Sequence, residues 1–320
     1  MSKIARNFPS LLSASKAHSV DKLDRPAGVM SKLTDYAQFS KFRLTTIVVL
    51  SAAIGYAVGC RFNMPLGIDW TRMGWLVLGG FLVTAASNGF NQVIERDLDK
   101  LMPRTANRPL AQRRMSVAEG LILATLMGSA GIIILTVFLN PMSGILGALA
   151  LLLYVLAYTP MKRVSPFAVF VGALPGAIPP MLGWVASTEG FGTIGLYAVL
   201  LFAVQFMWQF PHFWAIAWVV DEDYKKAGFR MLPSGERDKA SAFQAMVYAA
   251  FLIPTSLLPL LFNMPGSGIV SGSITLVCGL FFLWQAWTLY RKCETRAAQR
   301  LMFGSFIYLP VVQLALLIGY

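Results

Sequence analysis

The sequence predicts an all-α integral membrane protein with nine transmembrane helices. Of the 320 residues, 56% are apolar and only 13% are charged, whereas soluble domains average about 25% charged residues. Nine apolar runs have the length that a membrane span needs, which favours one membrane domain over two soluble domains. These runs cover residues 44–60, 74–93, 117–139, 143–159, 166–186, 193–219, 242–262, 268–289 and 301–319.

The distribution of basic residues supports the same count. Of the 27 Lys and Arg residues, 25 precede the first run or follow an even-numbered run. Positive charge marks the cytoplasmic side, so the N-terminus is expected inside and the C-terminus in the periplasm of a bacterial inner membrane. The basic, serine-containing segment 1–20 keeps the mitochondrial inner membrane as an alternative. Membrane topology explains the net charge of +12, and no nucleic-acid partner is expected.

The chain divides into two parts by composition. Residues 1–35 are expected to form a disordered cytoplasmic tail, and residues 36–320 the membrane domain. Two long basic loops, 94–116 and 220–241, lie four spans apart and both contain acids, which suggests a four-helix repeat. Three scattered cysteines and two histidines are typical neither of a disulfide framework nor of a zinc site.

The first acidic loop contains a spaced set of oxygen ligands. Asn91, Glu95 and Asp99 recur every four residues, so on a helix they share one face, whereas Asp97 points away. Hard oxygen ligands at the cytoplasmic end of a span suit Mg²⁺, which substrate phosphates usually complete. The alternative is an interfacial loop held together by ion pairs.

Further charged residues extend this candidate site. Arg104 and Arg108 follow the acids and can donate to phosphate oxygens. Asp221, Glu222 and Asp223 form a second acidic cluster on the same predicted side of the membrane. Two such clusters favour a binuclear Mg²⁺–diphosphate site, although a solvated loop also explains the second cluster.

Two spans present candidate substrate-binding residues at their inner ends. Tyr158 and Lys162, four residues apart, can share a face, and Lys162 can neutralise a diphosphate. The sixth span ends in an aromatic stretch that contains His212. The aromatic faces of this stretch can stabilise a carbocation. Positive-inside placement and an interfacial aromatic belt are the alternatives.

These residues together resemble the UbiA prenyltransferase superfamily. Asn91, Glu95 and Asp99 match its first acidic motif, N-x-x-x-D-x-x-x-D, with Glu in place of the middle Asp. Tyr158 and Lys162 match its Tyr-x-x-x-Lys motif. The resemblance covers residues 35–319.

Other segments resemble the heme-specific branch of that superfamily. They are 102–110, 211–214 and 223–233. The second acidic motif departs from the superfamily's D-x-x-x-D pattern, because Val219 stands four residues before Asp223. Which acid of 221–223 binds a second metal ion therefore stays open.

The resemblance implies a fold, a reaction and a set of site residues. Nine helices would surround a central cavity. The enzyme would transfer a farnesyl group from farnesyl diphosphate to a vinyl group of heme b, with water addition, giving heme O for heme-copper oxidases. Lipid would surround it, and a heme A synthase is a candidate partner. A prenyltransferase with an aromatic acceptor and a transporter or channel are the alternatives, and nearly charge-free spans disfavour the latter.

The site residues implied by the resemblance fall into three groups. Metal binding is expected at Asn91, Glu95, Asp99, Asp221 and Asp223, with Mg²⁺ as the cofactor. Diphosphate binding is expected at Arg104, Arg108 and Lys162, and contact with heme or the prenyl chain at Trp208, His212, Phe213 and Trp214. Tyr158, Lys162 and His212 are the expected catalytic residues.

Overall fold

The computed structural model describes residues 29–64, 66–264 and 266–318. Within these ranges nine helices are long and apolar enough to cross a membrane, so the predicted number of spans is confirmed. The protein is a multi-pass membrane protein. Its helices are α1 (Val29–Phe39), α2 (Phe42–Asn63), α3 (Trp70–Ile94), α4 (Arg96–Asp99), α5 (Val117–Phe138), α6 (Pro141–Leu152), a π-helical turn (Leu153–Tyr158), α7 (Thr159–Met161), α8 (Ala168–Ala186), α9 (Leu196–Val219), α10 (Asp221–Lys226), α11 (Lys239–Leu261), α12 (Ile269–Lys292) and α13 (Thr295–Ile318).

Polar caps determine where several spans begin. Asp69 accepts backbone hydrogen bonds at the start of α3, Asn140 does so for α6, and Asp238 for α11. Ser116 and Glu119 form a capping box at the start of α5. These side chains satisfy backbone N–H groups that no helical carbonyl reaches, so several helices begin a few residues before the apolar runs.

Helix α1 packs against the loop that follows α4 and against the start of α5. Asp35 is buried and forms an ion pair of 2.9 Å with Arg114, and Lys32 lies 3.3 Å from Glu119. The helix therefore occupies the end of the segment predicted as a tail. Residues 1–28 of that segment and the C-terminal residues 319–320 lie outside the described residues.

The nine spans follow one another round a closed ring. Each span packs against its neighbour in chain order, and α13 returns to α2. The most extensive further contacts, α2 with α8 and α9 with α13, cross the ring. The ring brings the inner ends of α3, α7 and α9 together, and these ends carry the candidate site residues.

Small residues allow α2 and α8 to approach closely. A Cβ atom at Gly183 would lie 1.9 Å from the carbonyl oxygen of Ala52, and one at Gly55 would lie 2.2 Å from the carbonyl oxygen of Pro180. Such backbone contact is a common source of helix association in membranes, where the hydrophobic effect contributes little.

A buried polar network compensates for a proline in α8. Pro180 has no N–H to donate to the carbonyl of Gly176, and the Gln205 side-chain amide donates to that carbonyl instead, at 2.7 Å. The Gln205 carbonyl oxygen in turn accepts hydrogen bonds from Ser51 at 2.7 Å and from Gln313 at 2.9 Å. The network joins α2, α8, α9 and α13 and lets α8 continue through its prolines.

The same bend occurs twice in the chain, four spans apart. Glu95 joins α3 to α4 with φ −94° and ψ 8°, and Val220 joins α9 to α10 with φ −107° and ψ 19°. Both short helices carry acidic residues. This recurrence supports the predicted four-helix repeat.

Candidate active site

The first acidic motif lies on one buried helical face. Backbone hydrogen bonds of 2.9 Å from Glu95 to Asn91 and 2.8 Å from Asp99 to Glu95 keep one helical turn between successive side chains, despite the bend at Glu95. All three residues are at most 4% exposed. Asp97 points to solvent and pairs with Lys100 at 2.7 Å. The face that the spacing predicts is therefore the one the structure buries.

Two cations neutralise the carboxylates of this motif. The Lys162 ammonium lies 2.8 Å from Glu95, and one Arg108 nitrogen lies 2.7 and 2.8 Å from the two oxygens of Asp99. Burial on its own would lower the pKa of Lys162, but the charge and hydrogen bond of Glu95, together with Tyr154 and Tyr224, outweigh burial and the pKa is raised. Lys162 is therefore a buried cation with a buried counter-ion.

A third basic residue, Lys41, completes the group and was not predicted from the sequence. Its ammonium lies 3.4 Å from the side-chain oxygen of Asn91. Burial lowers the pKa of Lys41 to about 7, with the charges of Arg108 and Lys162 acting in the same direction. Its backbone has φ 47° and ψ 54°, the left-handed conformation that turns the chain between α1 and α2. In the sequence Lys41 looks like an ordinary positive-inside charge.

The turn before Lys162 has a local irregularity. Pro160 cannot donate to the carbonyl four residues before it, and the chain just ahead forms the π-helical turn Leu153–Tyr158. Such turns are frequent at functional sites. The Lys162 ammonium lies 4.6 Å from the centre of the Tyr158 ring and 5.8 Å from that of Phe229. Tyr158 and Lys162 therefore share a face, as predicted.

A cavity of about 670 Å³ connects the first motif to the loop that follows α10. Its lining includes Glu95, Arg163, Lys225 and Arg230. The Arg230 backbone N–H donates to the Lys162 carbonyl at 2.8 Å, which fixes the loop against the end of the fourth span. The cavity is lined by both acidic and basic groups and lies at the predicted cytoplasmic end of the bundle.

The second acidic cluster is less buried than the first. Asp221 is 7% exposed and pairs with Lys225 at 2.9 Å and with Arg237 at 3.2 Å. Asp223 lies 3.5 Å from a lysine, and the Glu222 side chain is 82% exposed. Among the residues that the structure describes, no three His, Cys, Asp or Glu side chains group closely enough to hold a metal ion. The five predicted metal ligands therefore do not form one acidic cluster.

The two arginines expected at the diphosphate lie differently. Arg108 is paired with buried Asp99. Arg104 is exposed, and its side chain makes no ion pair or hydrogen bond with any other described residue. The structure therefore brings Arg108, but not Arg104, to the acidic motif.

The aromatic stretch of α9 separates into two groups. Trp208 stacks on His212 with 4.3 Å between ring centres, and Phe213 meets the edge of the same imidazole at 5.3 Å. Trp214 lies apart from them and packs against Tyr248 of α11 at 5.0 Å. His212 is 6% exposed. Two of the four predicted contact residues, Trp208 and Phe213, thus lie against the buried imidazole of a third, His212.

The comparisons with known proteins agree with this geometry. The UbiA prenyltransferase family model matches residues 44–309. A protoheme IX farnesyltransferase of Cytophaga hutchinsonii is 47% identical, over 89% of this chain and 97% of the relative. One from Christiangramia forsetii is 44% identical, over 89% and 92%.

Solved structures share the fold. A digeranylgeranylglyceryl phosphate synthase superposes with a TM-score of 0.73 at 19% identity, covering 91% of this chain and 99% of that one. A UbiA homologue from Archaeoglobus fulgidus, bound to GPP and Mg²⁺, gives a TM-score of 0.65 at 14% identity, covering 88% and 99%. The family match, the relatives and the nine-span architecture agree, and the chain belongs to the UbiA prenyltransferase family.

Proposed function

We propose that this protein transfers the farnesyl group of farnesyl diphosphate to a vinyl group of heme b, with addition of water, and so makes heme O for heme-copper oxidases. The observation that carries the diphosphate half is the buried pairing of Glu95 with Lys162 and of Asp99 with Arg108. The names of relatives up to 47% identical support heme b as the acceptor.

The acidic residues fit Mg²⁺ by the chemistry of their donor atoms. Asn91, Glu95 and Asp99 offer hard oxygen ligands on one face, and Mg²⁺ prefers such ligands together with phosphate oxygens. Asp221 and Asp223, the less exposed acids of α10, would serve the second acidic position. When bound, Mg²⁺ would neutralise diphosphate charge and make its departure easier.

The basic residues balance the remaining charge. In the structure Lys162 and Arg108 each face one buried carboxylate, so the array is close to neutral. A metal–diphosphate complex would bring both positive and negative charge into the site. The carboxylates would then contact the metal, and Lys162 and Arg108 would contact phosphate oxygens. Lys41 lies beside Asn91 and adds a third donor. These groups would stabilise the negative charge that develops on the leaving diphosphate.

The bond changes follow from this charge arrangement. The C1–O bond of farnesyl diphosphate breaks, and its electron pair leaves with the diphosphate. The vinyl π electrons of heme form the new carbon–carbon bond to C1, which leaves a cation on the carbon next to the porphyrin ring. Water adds to that carbon and loses a proton, giving the hydroxyl of heme O. Trp208 and Phe213 present aromatic faces that suit a transient cation.

The protein would lie in a bacterial inner membrane with its acidic motifs in the cytoplasm. The bias of 25 of 27 basic residues to one side supports this orientation. Reporter fusions after Arg114 and Lys239 should report a cytoplasmic location, and a fusion at Tyr320 a periplasmic one. A cytoplasmic C-terminus would contradict the orientation. A heme A synthase would take heme O as its substrate and is the proposed partner. Co-purification of the two proteins from the same membrane would test whether they are in contact.

The reaction is tested most simply with the full chain in membranes. Farnesyl diphosphate, Mg²⁺ and heme b are supplied, and the extracted hemes are separated by chromatography and identified by mass. Heme O should appear only when all three are present. If heme b is returned unchanged while an aromatic acid becomes prenylated, the acceptor is wrong although the family assignment stands.

A further inference from the structure

Arg114 joins two separate segments that each carry a basic residue of the candidate site. Its Nε donates to a carboxylate oxygen of Asp35 at 2.9 Å. One terminal nitrogen donates to the side-chain oxygen of Gln38 at 3.2 Å and to the backbone carbonyl of Asn107 at 3.0 Å. Asp35 and Gln38 belong to α1, and Asn107 belongs to the loop that follows α4. One guanidinium therefore links α1 to that loop.

The loop contact lies directly beside Arg108. Asn107 precedes Arg108, whose side chain donates to both carboxylate oxygens of Asp99 at 2.7 and 2.8 Å. Residues 100–116 form turns and no helix. The Arg114 backbone N–H donates to the Pro109 carbonyl at 2.9 Å, which brings Arg114 back towards Asn107. The position of this loop relative to α1 therefore depends on contacts between side chains, and Arg114 provides such a contact.

The α1 contact lies one turn before Lys41. The backbone carbonyl of Gln38 accepts from the Lys41 N–H at 3.2 Å and from the buried side-chain amide of Gln92 at 3.1 Å. The left-handed conformation at Lys41 then places its ammonium 3.4 Å from the side-chain oxygen of Asn91. The end of α1 is thus held both by α3 and by Arg114.

Lys41 and Arg108 contact opposite ends of the acidic face. Asn91 and Asp99 are eight residues apart, which is about 12 Å along a helix at the usual rise per residue. A diphosphate on this face would meet one basic residue from each end. Ordering a loop and two long side chains during binding costs conformational entropy, and a contact that orders them beforehand reduces that cost.

We propose that Arg114 is a positioning residue for diphosphate binding, which holds Lys41 and Arg108 at the two ends of the acidic face. The inference rests on the proposed function, since it takes farnesyl diphosphate as the ligand of that face. Arginine suits the role because its planar guanidinium presents several donors in a fixed arrangement, whereas a lysine ammonium is a compact charge on a flexible chain. Arg114 acts through the other two basic residues and not by touching the ligand.

Binding of farnesyl thiodiphosphate and Mg²⁺ to the full chain in nanodiscs tests the proposal without heme or turnover. This analogue has sulfur in place of the oxygen that joins C1 to the diphosphate, so it resists loss of the leaving group. Arg114→Gln should weaken its binding about tenfold, as changes behind a binding site commonly do. In heme O formation the same variant should raise the KM for farnesyl diphosphate and leave the KM for heme b unchanged.

A second variant separates positioning from folding. Arg114→Gln leaves the Asp35 carboxylate buried without its cation, which lowers stability. Adding Asp35→Asn removes the stranded charge, so the unfolding temperature in detergent should recover while binding stays weak. Recovery of both stability and binding would show that Arg114 only stabilises the fold, and would overturn the proposal.

Arg72→Gln is the matched control. Arg72 pairs with Glu189 at 2.7 Å and donates to the backbone carbonyl of Thr188 at 3.1 Å. It links separate segments as Arg114 does, but it lies near the start of α3, at the other end of that helix from Asn91. Arg72→Gln should therefore bind farnesyl thiodiphosphate as the wild-type protein does.

A double-variant cycle tests whether Arg114 acts through Lys41. Loss of a residue that works through a second residue has less effect once the second is gone. Arg114→Gln should therefore weaken binding by a smaller factor in the Lys41→Gln background than in the wild-type protein. If the two factors multiply, or if Arg114→Gln alone binds like the wild-type protein, the proposal is wrong. If all variants bind as expected but the wild-type protein makes no heme O, the positioning role stands and the proposed function fails.

Discussion

Substitutions in the ion pair between Lys162 and Glu95 should distinguish its contribution to folding stability from its contribution to catalysis. The two charged atoms lie 2.8 Å apart, and the residues are 8% and 4% exposed. Lys162→Gln leaves the Glu95 carboxylate buried without its cation, and breaking a buried pair in this way costs about 3–5 kcal/mol of folding free energy. Because the same cation would stabilise the leaving diphosphate, turnover should also fall by about 10²–10³-fold.

The second substitution distinguishes the two effects. Adding Glu95→Gln to Lys162→Gln removes the stranded charge, so most of the lost stability should return. Turnover should not return, because both groups would bind the metal–diphosphate complex. Lys292→Gln is the matched control, since Lys292 is exposed, lies outside the lining of the candidate site and forms no ion pair within the described residues.

Thermal unfolding in detergent and heme O formation measure the two quantities. Equal unfolding temperatures for Lys162→Gln and Lys292→Gln would show that the buried pair does not stabilise the fold. Recovery of turnover together with stability in the double variant would show that the two residues do not take part in catalysis.

The remaining predictions concern binding, packing and a helix cap. Lys41→Gln should raise the KM for farnesyl diphosphate about tenfold or more, since a charged hydrogen bond contributes about 1.5–3 kcal/mol, whereas exposed Arg43→Gln should not. Gly183→Ala should lower stability by about 1–3 kcal/mol through overpacking, because its Cβ would lie 1.9 Å from a carbonyl oxygen, whereas Gly74→Ala meets nothing within 4 Å and should unfold no earlier. Asp238→Ala should cost about 1 kcal/mol as a lost cap. Hydrogen bonds from the backbone hold the pKa of Asp238 below 3.8, so this difference should be full above that pH and disappear as pH falls further, measured by thermal unfolding.

The spans and the first acidic motif were predictable because each depends on a short-range pattern. Apolar run length and the bias of basic residues predict nine helices, and nine are found in the described ranges. The four-residue spacing predicts that Asn91, Glu95 and Asp99 share a face, and all three are buried. Run length and charge bias suffice for the first conclusion, and helical periodicity suffices for the second.

Contacts between distant helices were not predictable from such patterns. Lys41 precedes the first span, and only the left-handed turn before α2 brings it to Asn91. Ser305 reaches His212 because α13 packs against α9. Likewise, sequence alone could not separate buried Asp221 from exposed Glu222, since the bend at Val220 decides which side chain turns inwards.

The central claim is that the buried acidic face, rather than acidity of the loop in general, holds the metal and diphosphate. Asp99 and Asp97 lie two residues apart, yet the first is 1% exposed and paired with Arg108, while the second faces solvent beside Lys100. The direct test compares heme O formation by Asp99→Asn and Asp97→Asn at equal amounts of folded protein in membranes. We expect Asp99→Asn to abolish turnover and Asp97→Asn to retain it. An active Asp99→Asn beside an inactive Asp97→Asn would show that the buried face does not hold the metal and diphosphate.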